Sequence, residues 1–246
     1  QEGLRRAGVR PGMRFLDVAA GSGGLSIPAA RLGADVVATD ISPAMIEKLR
    51  ARAAGEGLAI EARVMDGHAL ELADESFDMA GSQFGVMLFP DMPKGIREMI
   101  RVVRPGGRVL LTAFGDPRKI DFLAFFIEAI KAVRPAFAGL PADPPPLPFQ
   151  LRDPERLRFE LETAGLQDVR VESTTERLEF TAGEQLWQWL TQSNPIPGAV
   201  LAGLELSEEE RGKIRQALDR LVAARAKADG TAVLTSPINI GIGTKR

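Results

Sequence analysis

The chain has no Cys, no Tyr and a single His, His68, among its 246 residues. These absences exclude a cysteine nucleophile, a tyrosine–lysine dehydrogenase pair and any zinc site that needs thiolates or two imidazoles. Without Cys the core forms without disulfides, which suits a reducing cytosol and makes a cytoplasmic location the expectation. Neither sign of charge is in excess: 31 basic residues face 33 acidic ones. With no basic stripe, nucleic acid is not an expected partner. No apolar run approaches the ~20 residues of a membrane span, and the first residues lack the apolar core of a signal peptide. What remains is an ordinary globular composition, 45% apolar and 26% charged, long enough for one elaborated domain over 1–246.

The first 115 residues alternate short β-rich runs with helical patterns, the signature of βαβ units feeding a mostly parallel sheet. Strands are predicted at 14–18, 35–39, 60–65, 77–81 and 108–114. Helices are predicted at 24–32, closed by Gly33, at 43–54, with Ser42 as N-cap and Pro43 at the first position, and at 93–103. After Phe114 the alternation stops. Residues 121–133 carry apolar side chains at helical spacing, and 135–148 hold six of the 17 prolines, too many for helix or inner strand. The βα pattern then resumes with a helix from Asp153-Pro154 to Ala164 and a strand at 168–173, which 178–180 continue or pair with. A second helical excursion covers 183–191 and 208–227, the latter opened by the capping box of Ser207 and Glu210. The acidic run Glu208-Glu209-Glu210 suits that helix start and needs no partner. Asn194-Pro195-Ile196-Pro197 reads as a turn ending the Trp187/Trp189 helix, and 232–242 as the last strand. The expected architecture is α/β, a Rossmann-like, doubly wound, mostly parallel seven-strand sheet, with helical cap insertions at 116–150 and 181–230 after strands 5 and 6.

The sharpest chemical feature is Phe15-Leu16-Asp17-Val18-Ala19-Ala20-Gly21-Ser22-Gly23-Gly24, a strand running into a glycine turn at a helix start. Such a turn lets backbone approach a ligand and aims N–H groups at an anionic part of it. A nicotinamide-dependent oxidoreductase would instead carry G-x-G-x-x-G after an apolar strand, and here Ser26 stands at the third Gly position while Asp17 places an acid in the strand end. That acid suits a ligand with a positive amine. Asp40, 19 residues beyond Gly21 at the end of the second strand, is placed to accept two ribose hydroxyls. Asp66-Gly67 follows the third strand, Phe77-Asp78 begins the fourth, and Arg104-Pro105-Gly106-Gly107-Arg108 introduces the fifth.

In this order and at these spacings the sequence resembles the class I S-adenosylmethionine-dependent methyltransferases, in particular the group similar to the ubiquinone/menaquinone biosynthesis enzymes. The resemblance runs over most of 14–115 and recurs in 153–171. It implies S-adenosyl-L-methionine as cofactor. Asp17 would hold the methionine ammonium, and Ala19, Gly21 and Gly23 would let the backbone wrap the methionine and ribose. Asp40 would take the ribose, Ile41 would pack on the adenine, Asp66 would accept the adenine amino group beside Gly67, and Gln83 would contact the methionine part and face the substrate. Two departures from the family form stand out. Ala19-Ala20 replaces a frequent Gly-Cys, and residues 84–90 are more apolar than usual, lacking the His often found there.

The expected acceptor is a small organic molecule of apolar or aromatic character, with Phe84, Met87, Phe89, Phe122, Phe126 and Trp187 as substrate-side candidates. The last three serve equally as plain core. His68 reads as a solvent-facing loop histidine. Arsenite and RNA cytosine-C5 methyl transfer, which depend on cysteines, are excluded within the superfamily. A nicotinamide-dependent oxidoreductase and a non-catalytic S-adenosylmethionine-binding module remain the alternatives.

Overall fold

In the computed structural model the described residues are 2–141, 146–192 and 195–246. In chain order the helices are α1 (Glu2–Ala7), α2 (Ser26–Arg31), α3 (Pro43–Gly55), α4 (Met92–Val102), α5 (Asp121–Val133), α6 (Pro154–Thr163), α7 (Gly183–Gln192), α8 (Pro195–Leu204) and α9 (Glu208–Arg225). The strands are β1 (Arg14–Val18), β2 (Asp35–Asp40), β3 (Ile60–Val64), β4 (Phe77–Gln83), β5 (Val103–Phe114), β6 (Leu166–Phe180) and β7 (Ala232–Lys245). They form one sheet in the order β3-β2-β1-β4-β5-β7-β6. β1 to β5 pair in parallel and β7 lies antiparallel to β5. This is the mostly parallel seven-strand sheet expected from the sequence. By contacts the chain divides into two compact units, one of Gln1–Phe114, Leu147–Thr174 and Ile238–Arg246, the other of Gly115–Pro146 and Thr175–Pro237.

In the first unit β1 is the hub, because it pairs β2 on one side and β4 on the other. A strand covered on both faces must be apolar on both, and Phe15, Leu16 and Val18 are all buried. The Phe15 ring occupies the space above Gly81 of β4, where a Cβ would come within 2.7 Å of the ring edge and 2.8 Å of Leu25. Farther along the sheet, Gly241 of β7 admits Leu157 and Leu161 of α6, which a Cβ there would meet at 3.0 and 2.7 Å. Helix starts follow the capping logic of the sequence. Ser42 accepts from Met45 N and Asp153 from Glu155 N, each with Pro at the first helical turn.

In the second unit the apolar faces of its own helices are buried, with Phe122, Phe126, Leu186, Trp187, Leu190, Ile214 and Leu218 all in its core. The rings of Phe122 and Trp189 meet edge to face at 4.9 Å. Gly183 leaves no room for a Cβ against the Asp219 backbone, so α7 crosses α9 closely. Asp121 accepts from both Thr235 N and Oγ1 at 2.8 Å and from Arg225 at 3.1 Å. The Ser207–Glu210 capping box forms as expected.

At four places the structure adds to or corrects the sequence reading. α1 was not foreseen, since six residues carry too little periodicity, yet Leu4 and Ala7 bury its inner face. The strand expected at 168–173 is a single strand, β6, of 15 residues that includes 178–180; as the last strand in the sheet order it is polar at alternate positions, which masks its length. Pro195 and Pro197 do not make a turn but occupy the first turn of α8, where a missing N–H costs nothing; Asn194 lies outside the described residues. Of the proline-rich crossing, 142–145 lie outside the described residues and Leu147–Phe149 form a 3-10 turn. Phe15→Ala should cost about 3–5 kcal/mol by emptying this packed position. Urea unfolding followed by circular dichroism should show the corresponding drop in midpoint.

Candidate functional site

The sheet order reverses between β1 and β4, the place where an open parallel sheet leaves a crevice at the carboxyl ends of its strands. Asp17 sits one residue before the end of β1 with its side chain wholly buried. Its Oδ2 accepts a 2.5 Å hydrogen bond from Ser26 Oγ, while Oδ1 is buried with no partner among the described residues. Burial pushes the carboxyl up to about 7, against the opposing effect of the Ser26 hydrogen bonds. Ser26, which breaks the dinucleotide pattern in the sequence, is therefore the residue that anchors this acid.

The turn after β1 has three residues in the left-handed region, Ala19 (φ 55°), Gly21 (φ 54°) and Gly23 (φ 92°). For Ala19 this conformation is costly and is held by neighbours on both sides: Ala20 N donates to Thr39 O at 2.9 Å, and Gly85 abuts Ala19 so tightly that a Cβ at Gly85 would lie 2.5 Å from the Ala19 Cβ. Nothing approaches within 4 Å of where a Gly21 Cβ would stand, so the turn is open there. A Cβ at Gly23, by contrast, would press on Ile27 and Leu49 at 3.1 and 3.2 Å. Arg52 of α3 closes the outside of the turn by donating to Ser22 O at 2.6 Å.

Asp40 ends β2 and ties this turn to the start of α3, accepting from Gly21 N at 2.8 Å through Oδ2 and from Ser42 N at 2.9 Å through Oδ1. Beside it the apolar side chain of Ile41 is 71% exposed. Met65 N donates to Asp40 O at 3.0 Å and brings Asp66 alongside. The Asp66 carboxyl is held below the usual carboxylate range, chiefly by the hydrogen bond from His68 N. Gly67 has no space for a Cβ, because the Phe89 ring lies against it. The loop beyond is clamped by Arg101, which donates to Leu70 O (2.7 Å), Leu72 O (2.9 Å) and Glu98, while Glu98 accepts from Leu70 N.

Gln83 closes β4, its amide oxygen 3.6 Å from the Cβ position of Gly24. Phe84 turns the chain in the left-handed region (φ 57°), donates its N–H to Thr112 O at 2.9 Å, and stacks its ring on Phe114 at 4.4 Å. Met87 is buried, and Gln150 fixes the segment by donating to Met87 O and Phe89 O. The structure thus brings together Asp17, Ala19, Gly21, Gly23, Asp40, Ile41, Asp66, Gly67 and Gln83. Phe84 and Phe89 stand at the same strand ends. Phe122, Phe126 and Trp187 are buried in the second unit. His68 is not solvent-facing: its side chain is 22% exposed and its ring lies 4.6 Å from that of Phe89. Sequence reasoning missed Ser26 as the partner of Asp17, and Gly85, whose only sequence signal is a glycine inside an apolar run. Among the described residues no group of three or more metal-ligating side chains could hold a metal ion, and no helix is long and apolar enough to cross a membrane.

The profile of the family described as a methyltransferase domain matches residues 16–111. A demethylmenaquinone methyltransferase of Mycobacterium sp. (strain KMS) is 33% identical over 175 residues, 68% of this chain and 74% of that protein. An uncharacterized protein of Mycobacterium tuberculosis is 40% identical over 140 residues, 57% of this chain and 49% of its own length, so the chain spans about half the length of that relative. Among solved structures, a putative methyltransferase from Bacillus halodurans has the same fold at 19% identity, with a TM-score of 0.60 over 99% of this chain and 97% of its own. The glycine turn, the paired acids at the ends of β1 and β2 and these likenesses agree: the chain belongs to the class I S-adenosylmethionine-dependent methyltransferases.

Proposed function

We propose that the protein transfers the methyl group of S-adenosylmethionine to a small organic acceptor of apolar or aromatic character. The observation that carries this reading is the buried, unpartnered Oδ1 of Asp17 beneath an open glycine turn, with Asp40 pinned beside it. A buried polar atom without a partner calls for one, and a carboxylate oxygen calls for a cation or a hydrogen-bond donor. The methionine ammonium meets that need. Asp40 uses one lone pair of each oxygen on Gly21 N and Ser42 N and keeps the others for two ribose hydroxyls. Ile41 offers its exposed face to the adenine, and Asp66 beside Gly67 accepts the adenine amino group. Ala19, Gly21 and Gly23 shape the backbone around methionine and ribose, and Gln83 bounds the methionine part on the β4 side.

When bound, S-adenosylmethionine would supply a methyl already activated on a sulfonium, with S-adenosylhomocysteine as its leaving group. The work left to the protein is alignment and exclusion of water, and alignment alone is worth ~7–11 kcal/mol of barrier. This fits a chain without Cys or Tyr and with its one His committed to Asp66. The acceptor class rests on Phe84, Phe89 and their apolar segment.

Asp40→Ala should weaken S-adenosylhomocysteine binding ten-fold or more by calorimetric titration, since hydrogen bonds to a charged group contribute about 1.5–3 kcal/mol. Unchanged affinity would remove the ribose assignment. Asp17 makes a second, pH-dependent prediction. In the free protein it holds its proton up to about pH 7, whereas an ammonium partner favours the carboxylate. Binding therefore releases a proton at pH 6, affinity rises with pH, and the rise flattens above about 7. Titrations in two buffers of different ionisation enthalpy measure the released proton. Asp17→Asn, which can still accept from Ser26, should lose the pH dependence together with affinity.

A further inference from the structure

The imidazole of His68 has a role beyond filling space. Its Nδ1 lies 2.8 Å from Asp66 Oδ1, and the same oxygen accepts from His68 N at 2.9 Å. A carboxylate oxygen can only accept, so Nδ1 carries the hydrogen, and in the neutral ring Nε2 is left with a bare lone pair. That nitrogen is buried with no partner among the described residues. The ring also lies over Phe89, whose other contacts wedge it against Gly67 and Gly95. An apolar side chain could cover Phe89 without burying an unpartnered nitrogen. What the imidazole adds is the bond to Asp66. That bond occupies Oδ1 and leaves Oδ2 of a half-exposed carboxylate without a partner among the described residues.

We propose that His68 is a positioning residue for base recognition: by holding Asp66 through Oδ1 it fixes Oδ2 as the acceptor for the exocyclic amino group of the purine. The inference rests on the proposed adenine role of Asp66 and deepens it, because it makes discrimination between an amino and a carbonyl purine depend on a residue that touches neither. Without the imidazole, Oδ1 keeps only the backbone bond from His68 N; a carboxylate held by that one bond would still accept from the amino group, but over a wider range of orientations, and the preference would fall.

The test is calorimetric titration of the full chain with S-adenosylhomocysteine and with its analogue bearing hypoxanthine in place of adenine. The wild type should prefer the adenine ligand by more than ten-fold. His68→Leu should reduce that ratio about five-fold or more, Asp66→Asn should reduce it as well, and His68→Asn, whose amide N–H can stand in for Nδ1–H, should restore it. Both ligands sample the same folded fraction, so loss of folding does not move the ratio. A His68→Leu protein with the wild-type ratio, or a His68→Asn protein as impaired as His68→Leu, overturns the proposal. Asp40→Ala separates the two levels. If it weakens both ligands alike while His68→Leu leaves the ratio intact, only the role of His68 fails; if it weakens neither, the site assignment fails and this inference with it.

Discussion

Everything at the carboxyl edge of the sheet depends on one buried acid held by one hydroxyl. Asp17 stands in the central strand, where both faces are covered, and a carboxylate there is expensive unless something compensates it. Ser26 supplies half of the compensation, through Oδ2. The other half is missing among the described residues, where Oδ1 has no partner. This incomplete satisfaction distinguishes the turn from an ordinary βα connection, which would carry an apolar residue at the position, and it is the basis of the binding role proposed for it. It also ties the start of α2 to the end of β1, since Ser26 opens that helix.

From this point the site is built by backbone anchoring. Asp40 joins two backbone N–H groups that belong to different loops, Gly21 after β1 and Ser42 before α3, so the acid that ends β2 also sets the distance between those loops. Arg52 holds the outer side of the same turn, and Glu98 with Arg101 holds the loop that follows Asp66. Asp40 and Asp66 are thus held by main-chain N–H groups at the strand ends, an arrangement that keeps their remaining lone pairs in place.

How much of this was legible in the sequence follows from the range of the interactions. The glycine turn, Asp17, Asp40 and Asp66 could be placed because each marks the end of a strand, and strand ends are announced by local pattern. The mostly parallel character of the sheet followed from the same alternation, whereas the strand order needed the structure. Ser26 was visible only as a departure from another pattern; its use required knowing that its hydroxyl lies over a residue nine positions away. His68 was misread because its burial is made by Phe89, a contact 21 residues distant that no periodicity reports. The prolines of α8 were taken for a turn, since Pro at a helix start and Pro in a loop look alike without the helix that follows.

Gly85 has a consequence for anyone who would redesign the protein. The space a Cβ would take at Gly85 is filled by Ala19, so the segment after β4 packs directly on the turn after β1. Recruiting a new acceptor by exchanging residues 84–90 would be the natural engineering route, yet a donor segment without glycine at the second position would push the Ala19 turn out of its left-handed conformation. On the proposed roles of the two segments, acceptor selectivity and cofactor retention are therefore inherited together, and a library at this loop has to leave that glycine untouched.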